Sequence, residues 1–106
     1  MTTMPPGGKP GLDDWPLTDF QQAVVNAVLL LKPGDVVSYA EIAMEVGRPG
    51  SAQAVANVLR RVPDLPWWRV VPADGRLYLS HAPTQRPLLE SEGVRIGPGG
   101  RVLPPA

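Results

Sequence analysis

Proline and glycine cut the first half of this chain into short lengths. Pro33-Gly34, the run Gly47-Arg48-Pro49-Gly50 and Pro63 each stop regular structure. Proline lacks the N–H that an inner helical turn needs, and glycine leaves the helical region readily. Between these stops the apolar residues recur at helical spacing, so the chain has room for three short helices and no long one. The first, within Leu17 to Lys32, opens on Thr18 with Gln21 three residues on, a capping box, and repeats Phe20, Val24, Ala27, Val28 and Leu31. The second follows a brief extended approach at Val36-Val37. Ser38 caps it, Glu41 completes the box, Ile42, Ala43 and Val46 face inward, and Gly47 ends it. Ser51 is placed to cap a third, whose core stripe is Val55, Val58, Leu59 and Val62.

Beyond Pro63 the pattern changes. Two β-rich runs flank Asp74-Gly75, which predicts a hairpin. Pro87 reads as the first turn of a brief helix closed by Gly93, and the stretch from Gly93 to Pro105 as a second, weaker hairpin. Helix, turn, helix and β wing is the order of a winged helix-turn-helix-like domain, mainly α with a small β wing. Ala43 and Gly47, four residues apart, suit two crossed helices in close contact. Many small helical domains share this order. The expected boundaries are a disordered tail over 1–11, the domain over 12–97 and a flexible tail over 98–106, with Trp15 packing at the amino-terminal side.

Length and composition narrow the function classes. The 106 residues support one core. No apolar run approaches the roughly 20 residues that cross a membrane, and Ala23 to Leu31 is broken by Asn26. The first eleven residues lack the layout of a secretory signal, so a cytoplasmic location without membrane contact is expected. There is no cysteine, which removes disulfides, thiolate metal sites and a thiol nucleophile. With His81 as the single histidine, no metal or other cofactor is expected.

The formal charge of zero hides an asymmetry. Residues 1–46 carry six acids and two bases, whereas Arg48, Arg60, Arg61, Arg69 and Arg76 face only Asp64 and Asp74 over 47–80. Such a basic middle fits a small nucleic-acid footprint, but charge alone favours the plainer reading of a modest excess of arginine. The third helix sets Gln53, Asn57 and Arg60 opposite its core stripe, interleaved with Ala52, Ala54 and Ala56. A face this small lets a backbone approach a DNA groove. Alanine is also the best helix former, so both readings stand at this point. Pro66-Trp67-Trp68-Arg69 spends two of three tryptophans side by side, as core or as the wall of a pocket.

Taken in order, VVSYAEIAMEVGRPGSAQAVANVLRR, LPWWRVVPADGRL and LLESEGV resemble the DNA-binding domain of the O6-alkylguanine-DNA alkyltransferase family, nearest to its catalytically inactive branch, the alkyltransferase-like proteins. The resemblance runs from about Leu17 to Val94 and does not extend to the amino-terminal domain of the full-length enzymes. Those enzymes carry Pro-Cys-His-Arg-Val: the cysteine takes the alkyl group, the histidine activates it through water, and a distant glutamate orients the histidine. By this resemblance Trp67 stands at the acceptor cysteine, Trp68 at the histidine and Glu92 at the glutamate. An indole offers one N–H donor and no usable nucleophile, so no transfer is expected. Alkyltransferase-like proteins often keep the histidine, and Trp68 departs from that pattern. Tyr39 matches a tyrosine that helps rotate the target phosphate. Gln53 occupies the position of an arginine that fills the vacated stack, without its charge. Glu92 is expected to pair with an arginine or to cap backbone. For Arg69 a buried structural role and a phosphate contact both remain open.

The resemblance therefore implies a non-enzymatic damage sensor. It would bind duplex DNA through the minor groove as a monomer, flip O6-alkylguanine into a Trp-lined pocket and flag it for nucleotide excision repair proteins. The expected DNA- and lesion-binding set is Tyr39, Gln53, Ala54, Asn57, Arg60, Trp67, Trp68 and Arg69, with no catalytic residue. Gln53 and Trp68 favour an alternative, a small winged-helix DNA-binding module or regulator without lesion recognition. A third reading, an enzyme using Ser80, His81 or Tyr78 as nucleophile, has little behind it, because a lone loop histidine is usually solvated.

Overall fold

The computed structural model describes residues 17–104; the tail expected over 1–11 and Trp15 lie outside the described residues. Helix α1 spans Asp19–Leu29. Its capping box closes as expected, with the Gln21 N–H donating to Thr18 Oγ1 at 3.1 Å and the Thr18 N–H to Gln21 Oε1 at 2.8 Å. The helix stops before Pro33. The Leu30 and Leu31 N–H groups reach back to Ala27 and Val28, a tightened last turn that leaves Leu29 and Leu30 exposed and returns Leu31 to the core.

Strand β1 (Val37–Ser38) leads into α2 (Tyr39–Glu45), capped by Ser38 and Glu41 in the expected reciprocal bonds. Gly47, at φ +80°, ends α2. The N–H of Arg48 then reaches the Ala43 carbonyl and that of Gly47 the Met44 carbonyl. Helix α3 spans Ala52–Arg61. Ser51 precedes it, but its hydroxyl makes no cap bond, because its ψ of 30° is not the extended value a cap requires. The start is held by backbone instead, Ser51 N–H to Arg48 O and Val55 N–H to Ser51 O. Val24, Val28, Ile42, Ala43, Val55 and Val58 form the core where the three helices meet.

The expected hairpin about Asp74-Gly75 does not form. The turn exists, with the Gly75 N–H on the Pro72 carbonyl, but the flanking runs do not pair with each other. Strand β2 (Val70–Val71) lies parallel to β1, Val37 opposite Val70 and Ser38 opposite Val71. Val70 and Val71 are 0% and 4% exposed, and a two-stranded wing would leave one of them in water. Covered on both faces, β2 sends Val70 to the three-helix core and Val71 to a second cluster with Leu77, Leu89 and Ile96. Arg76 bridges Arg101 and Ile96 bridges Val102, so the weaker terminal hairpin forms around a 3-10 turn at Pro98–Gly100. Backbone pairing thus runs past the expected boundary at residue 97, through Leu77 N–H to Gly100 O and Val102 N–H to Gly75 O. The small β part of a mainly helical domain is present, with different partners.

Helix α4 spans Ala82–Ser91, starting five residues before the Pro87 at which it was expected. Pro83 takes the first-turn position and Pro87 lies inside the helix. Both prolines are exposed, so the carbonyl that Pro87 leaves without a partner meets solvent. No described helix is long and apolar enough to cross a membrane.

This packing predicts a contrast. Ile42→Ala, at 1% exposure among the three helices, should lower unfolding free energy by about 2–5 kcal/mol. Met44→Ala, on the exposed side of the same helix at 66%, should change it by less than about 0.5 kcal/mol. Urea midpoints at unchanged slope would measure both.

Candidate functional site

The tryptophan pair is divided by the local backbone. Asp64 takes φ +65°, a left-handed conformation that aspartate tolerates better than most, and turns the chain from α3 into a 3-10 turn at Trp67–Arg69. The two indoles stand nearly perpendicular, at 87° with centroids 6.2 Å apart. Trp68 packs into the second core cluster with Val71 and Leu89. Trp67 lines a cavity of about 730 Å³ between α3, the start of α2 and the segment 78–81.

Trp68 is fixed by Glu92, the last-turn cap of α4. The Trp68 Nε1–H donates to Glu92 Oε2 at 2.9 Å, and Arg69 grips both carboxylate oxygens, Nε to Oε1 at 3.0 Å and Nη2 to Oε2 at 2.7 Å. The Gly34 N–H donates to Oε1 at 3.1 Å, and the Arg69 Nη1–H to the Leu31 carbonyl at 2.9 Å. From the other side, buried Gln85 of α4 donates to the carbonyls of Trp68 and Val70. The Arg69 bond holds the Glu92 carboxyl at about 2, far below its usual 4.5. Burial opposes this, and the bonds from Trp68 and Gly34 add to it.

The cavity gathers Tyr39, Gln53, Arg60 and Trp67 from the expected set. Tyr39, the first residue of α2, is 6% exposed, and its phenol is pushed up by burial, further by Tyr78, and back by Arg60. It is therefore a neutral hydroxyl at physiological pH. Asn57 does not line the cavity. Its Oδ1 accepts from Gln53 Nε2 at 3.3 Å and from Arg60 Nη2, so it ties the two polar residues of the α3 face together. Ala54 and Asn57 border a separate small depression beside Phe20. Trp68 and Arg69, also in the expected set, lie apart from the cavity: both are engaged with Glu92, and neither lines it. Arg69 takes the structural of its two readings, its side chain 12% exposed.

Sequence reasoning left Tyr78 and His81 outside the binding set. They complete an aromatic wall: His81 lies edge-on to Trp67 at 5.6 Å and to Tyr78 at 5.6 Å, and Tyr78 faces Tyr39 at 6.1 Å. Tyr78 falls in a stretch read as a β run and His81 reads as a solvated loop histidine, so both enter only as nucleophile candidates. Leu65, which also lines the cavity, and Gln85 are outside the set as well; Gln85 carries no signal in the sequence. A second cavity, of about 640 Å³, lies between residues 34–38, β2 and the terminal hairpin. No aromatic side chain and none of the expected residues line it.

Three comparisons bear on this geometry. Residues 19–94 match the family model described as "6-O-methylguanine DNA methyltransferase, DNA binding domain". The chain is 35% identical over 88 residues to a DNA base-flipping protein of Escherichia coli K12, covering 78% of this chain and 68% of that protein. It is 41% identical over 83 residues to a methylated-DNA–protein-cysteine methyltransferase of Mycobacterium tuberculosis H37Rv, covering 74% of this chain but 50% of the enzyme, so it spans about half that enzyme's length. Among solved structures, S. pombe Atl1 in complex with damaged DNA containing O6-carboxymethylguanine aligns at a TM-score of 0.69 and 32% identity, over 74% of this chain and 80% of that one. M. tuberculosis OGT in complex with DNA aligns at 0.65 and 41% identity, over 72% and 49%.

The Glu92 contacts predict a pH signature. A depressed carboxyl contributes stability that is full above its unfolded value near 4.5 and is lost as pH falls toward about 2. Glu92→Gln should cost on the order of 3 kcal/mol at neutral pH and flatten the loss of stability across that acid window. Urea titrations of both proteins from pH 6 to pH 2.5 would show the two curves converging in acid.

Proposed function

From the premise that this chain belongs to the 6-O-methylguanine DNA methyltransferase family, through its DNA-binding domain, we propose that it is a non-enzymatic sensor of alkylated DNA. In this reading it binds duplex DNA through the minor groove with the α3 face and turns an O6-alkylguanine out of the stack. It then holds the base against Trp67. The observation that carries the reading is the aromatic cavity of Trp67, Tyr78, His81 and Tyr39 opening beside the polar residues of α3. The relatives include both base-flipping proteins and methyltransferases. The non-enzymatic choice rests on the resemblance, which sets Trp67 at the acceptor position, and on a sequence without cysteine.

The energetics are favourable on this geometry. Extruding a base costs a few kcal/mol, least for a poorly paired one. Stacking on an aromatic ring returns about 1–3 kcal/mol, and each buried methylene of the adduct about 0.8 kcal/mol. Tyr39, neutral and beside Arg60, is placed to turn the backbone of the departing nucleotide. Gln53, tied to Asn57, fills space in the stack without the charge of an arginine, and the phosphate attraction falls to Arg60. The bound protein marks the lesion for nucleotide excision repair and acts as a monomer in the cytoplasm.

Fluorescence anisotropy with a duplex holding one O6-methylguanine, against the same duplex with guanine, tests the reading. The lesion duplex should bind more tightly, and Trp67→Ala should remove about tenfold or more of that preference. Equal affinity for both duplexes would replace it with a DNA-binding module lacking lesion recognition, the reading that Gln53 favours. Trp67→Cys should take up no labelled alkyl group, since Trp68 offers no base. Arg60→Ala should weaken both duplexes alike and lower the salt slope by about one ion.

A further inference from the structure

His81 is the one imidazole in the aromatic wall, and its position is unusual. It lies edge-on to Trp67 and to Tyr78, with centroids 5.6 Å from each. These contacts, rather than hydrogen bonds, hold the imidazole. Nδ1 is shut away from solvent without a hydrogen-bond partner. No described residue bonds the other nitrogen either, and Nε2 is not among the buried atoms lacking a partner, so it retains open surface. The ring therefore lines the cavity with both nitrogens unclaimed by the protein.

The buried position selects the tautomer. A neutral imidazole carries one proton, and an N–H buried with no acceptor is disfavoured more than a lone pair left bare. The neutral ring therefore carries its proton on Nε2. The ring then presents an oriented N–H donor to the cavity, and Trp67 and Tyr78 pack against its sides.

We propose that His81 is a specificity-determining residue of this site, its Nε2–H donating to an acceptor on the edge of an aromatic base held against Trp67. The inference rests on the reading of the cavity as a base pocket and adds its ligand class: a flat heterocycle with a hydrogen-bond acceptor facing residue 81. An apolar ring of the same size would leave the donor unmet and be rejected, since a donor buried by the ligand without a partner loses its water.

Because the chain holds a single histidine, its imidazole nitrogens can be followed without assignment. In the uniformly 15N-labelled full chain, long-range 1H–15N spectra should show protonated Nε2 and bare Nδ1. Nε2 should shift on adding a duplex with one O6-methylguanine and stay in place with the guanine duplex. His81→Phe, which keeps the ring and removes both nitrogens, should lose about tenfold of the lesion preference while still binding the guanine duplex. His81→Gln, which restores a donor, should recover part of it. If the wild-type chain prefers the lesion and His81→Phe keeps that preference in full, or if Nε2 responds equally to both duplexes, the inference about His81 is overturned and the pocket reading survives. If the wild-type chain shows no preference, the pocket reading fails first and His81 falls with it.

Discussion

The carboxylate of Glu92 is the contact on which the placement of the site depends. It stands at the end of α4 and receives Arg69 and Trp68 from the 3-10 turn and the Gly34 backbone from the loop after α1. Arg69 carries the connection on to the Leu31 carbonyl, just beyond α1. Three segments far apart in sequence thus meet at one pair of oxygens, at 11% side-chain exposure. Removing either partner would leave the other charge without compensation in a poorly solvated place, which makes the pair an all-or-none device more than a simple source of stability.

That device explains how two adjacent tryptophans do different things. A 3-10 turn spaces successive side chains about a third of a turn apart, so one indole bound to Glu92 leaves its neighbour facing elsewhere. β2 extends the division, with Val70 in one core and Val71 in the other. Gln85 secures the same backbone from α4. The cavity wall is therefore carried on a segment anchored from both sides, and Trp67 borders open space with little freedom to collapse into it. Preorganisation of this kind reduces what a bound base must offset.

How much of this was legible in the sequence varies with the physics involved. The first three helices were, because capping boxes at Thr18 and Ser38 and the stop at Gly47 are local chemistry. The partner of β2 was not. Val70-Val71 reads as one arm of a hairpin, and only burial on both faces reveals a parallel partner more than thirty residues away. Pro87 drew the start of α4 too late because Pro83 served that purpose. At the site, Tyr39, Gln53, Arg60 and Trp67 were named in advance and come together. Trp68 joins them through its motif position and Arg69 as a candidate phosphate contact, and only the fold shows both committed to Glu92. Tyr78 and His81 stood out in the sequence only as weak nucleophile candidates, since their place in the wall arises from a loop folded back over the motif.

The central claim is that Trp67 forms the wall for a base turned out of the helix. The crystal structure of this chain with a duplex holding one O6-methylguanine tests it most directly. The account predicts the alkylated base in the cavity between α3 and residues 78–81, stacked beside Trp67, with Trp68 still bonded to Glu92. A complex in which the modified base remains stacked within the duplex, and the cavity stands empty beside bound DNA, would contradict it.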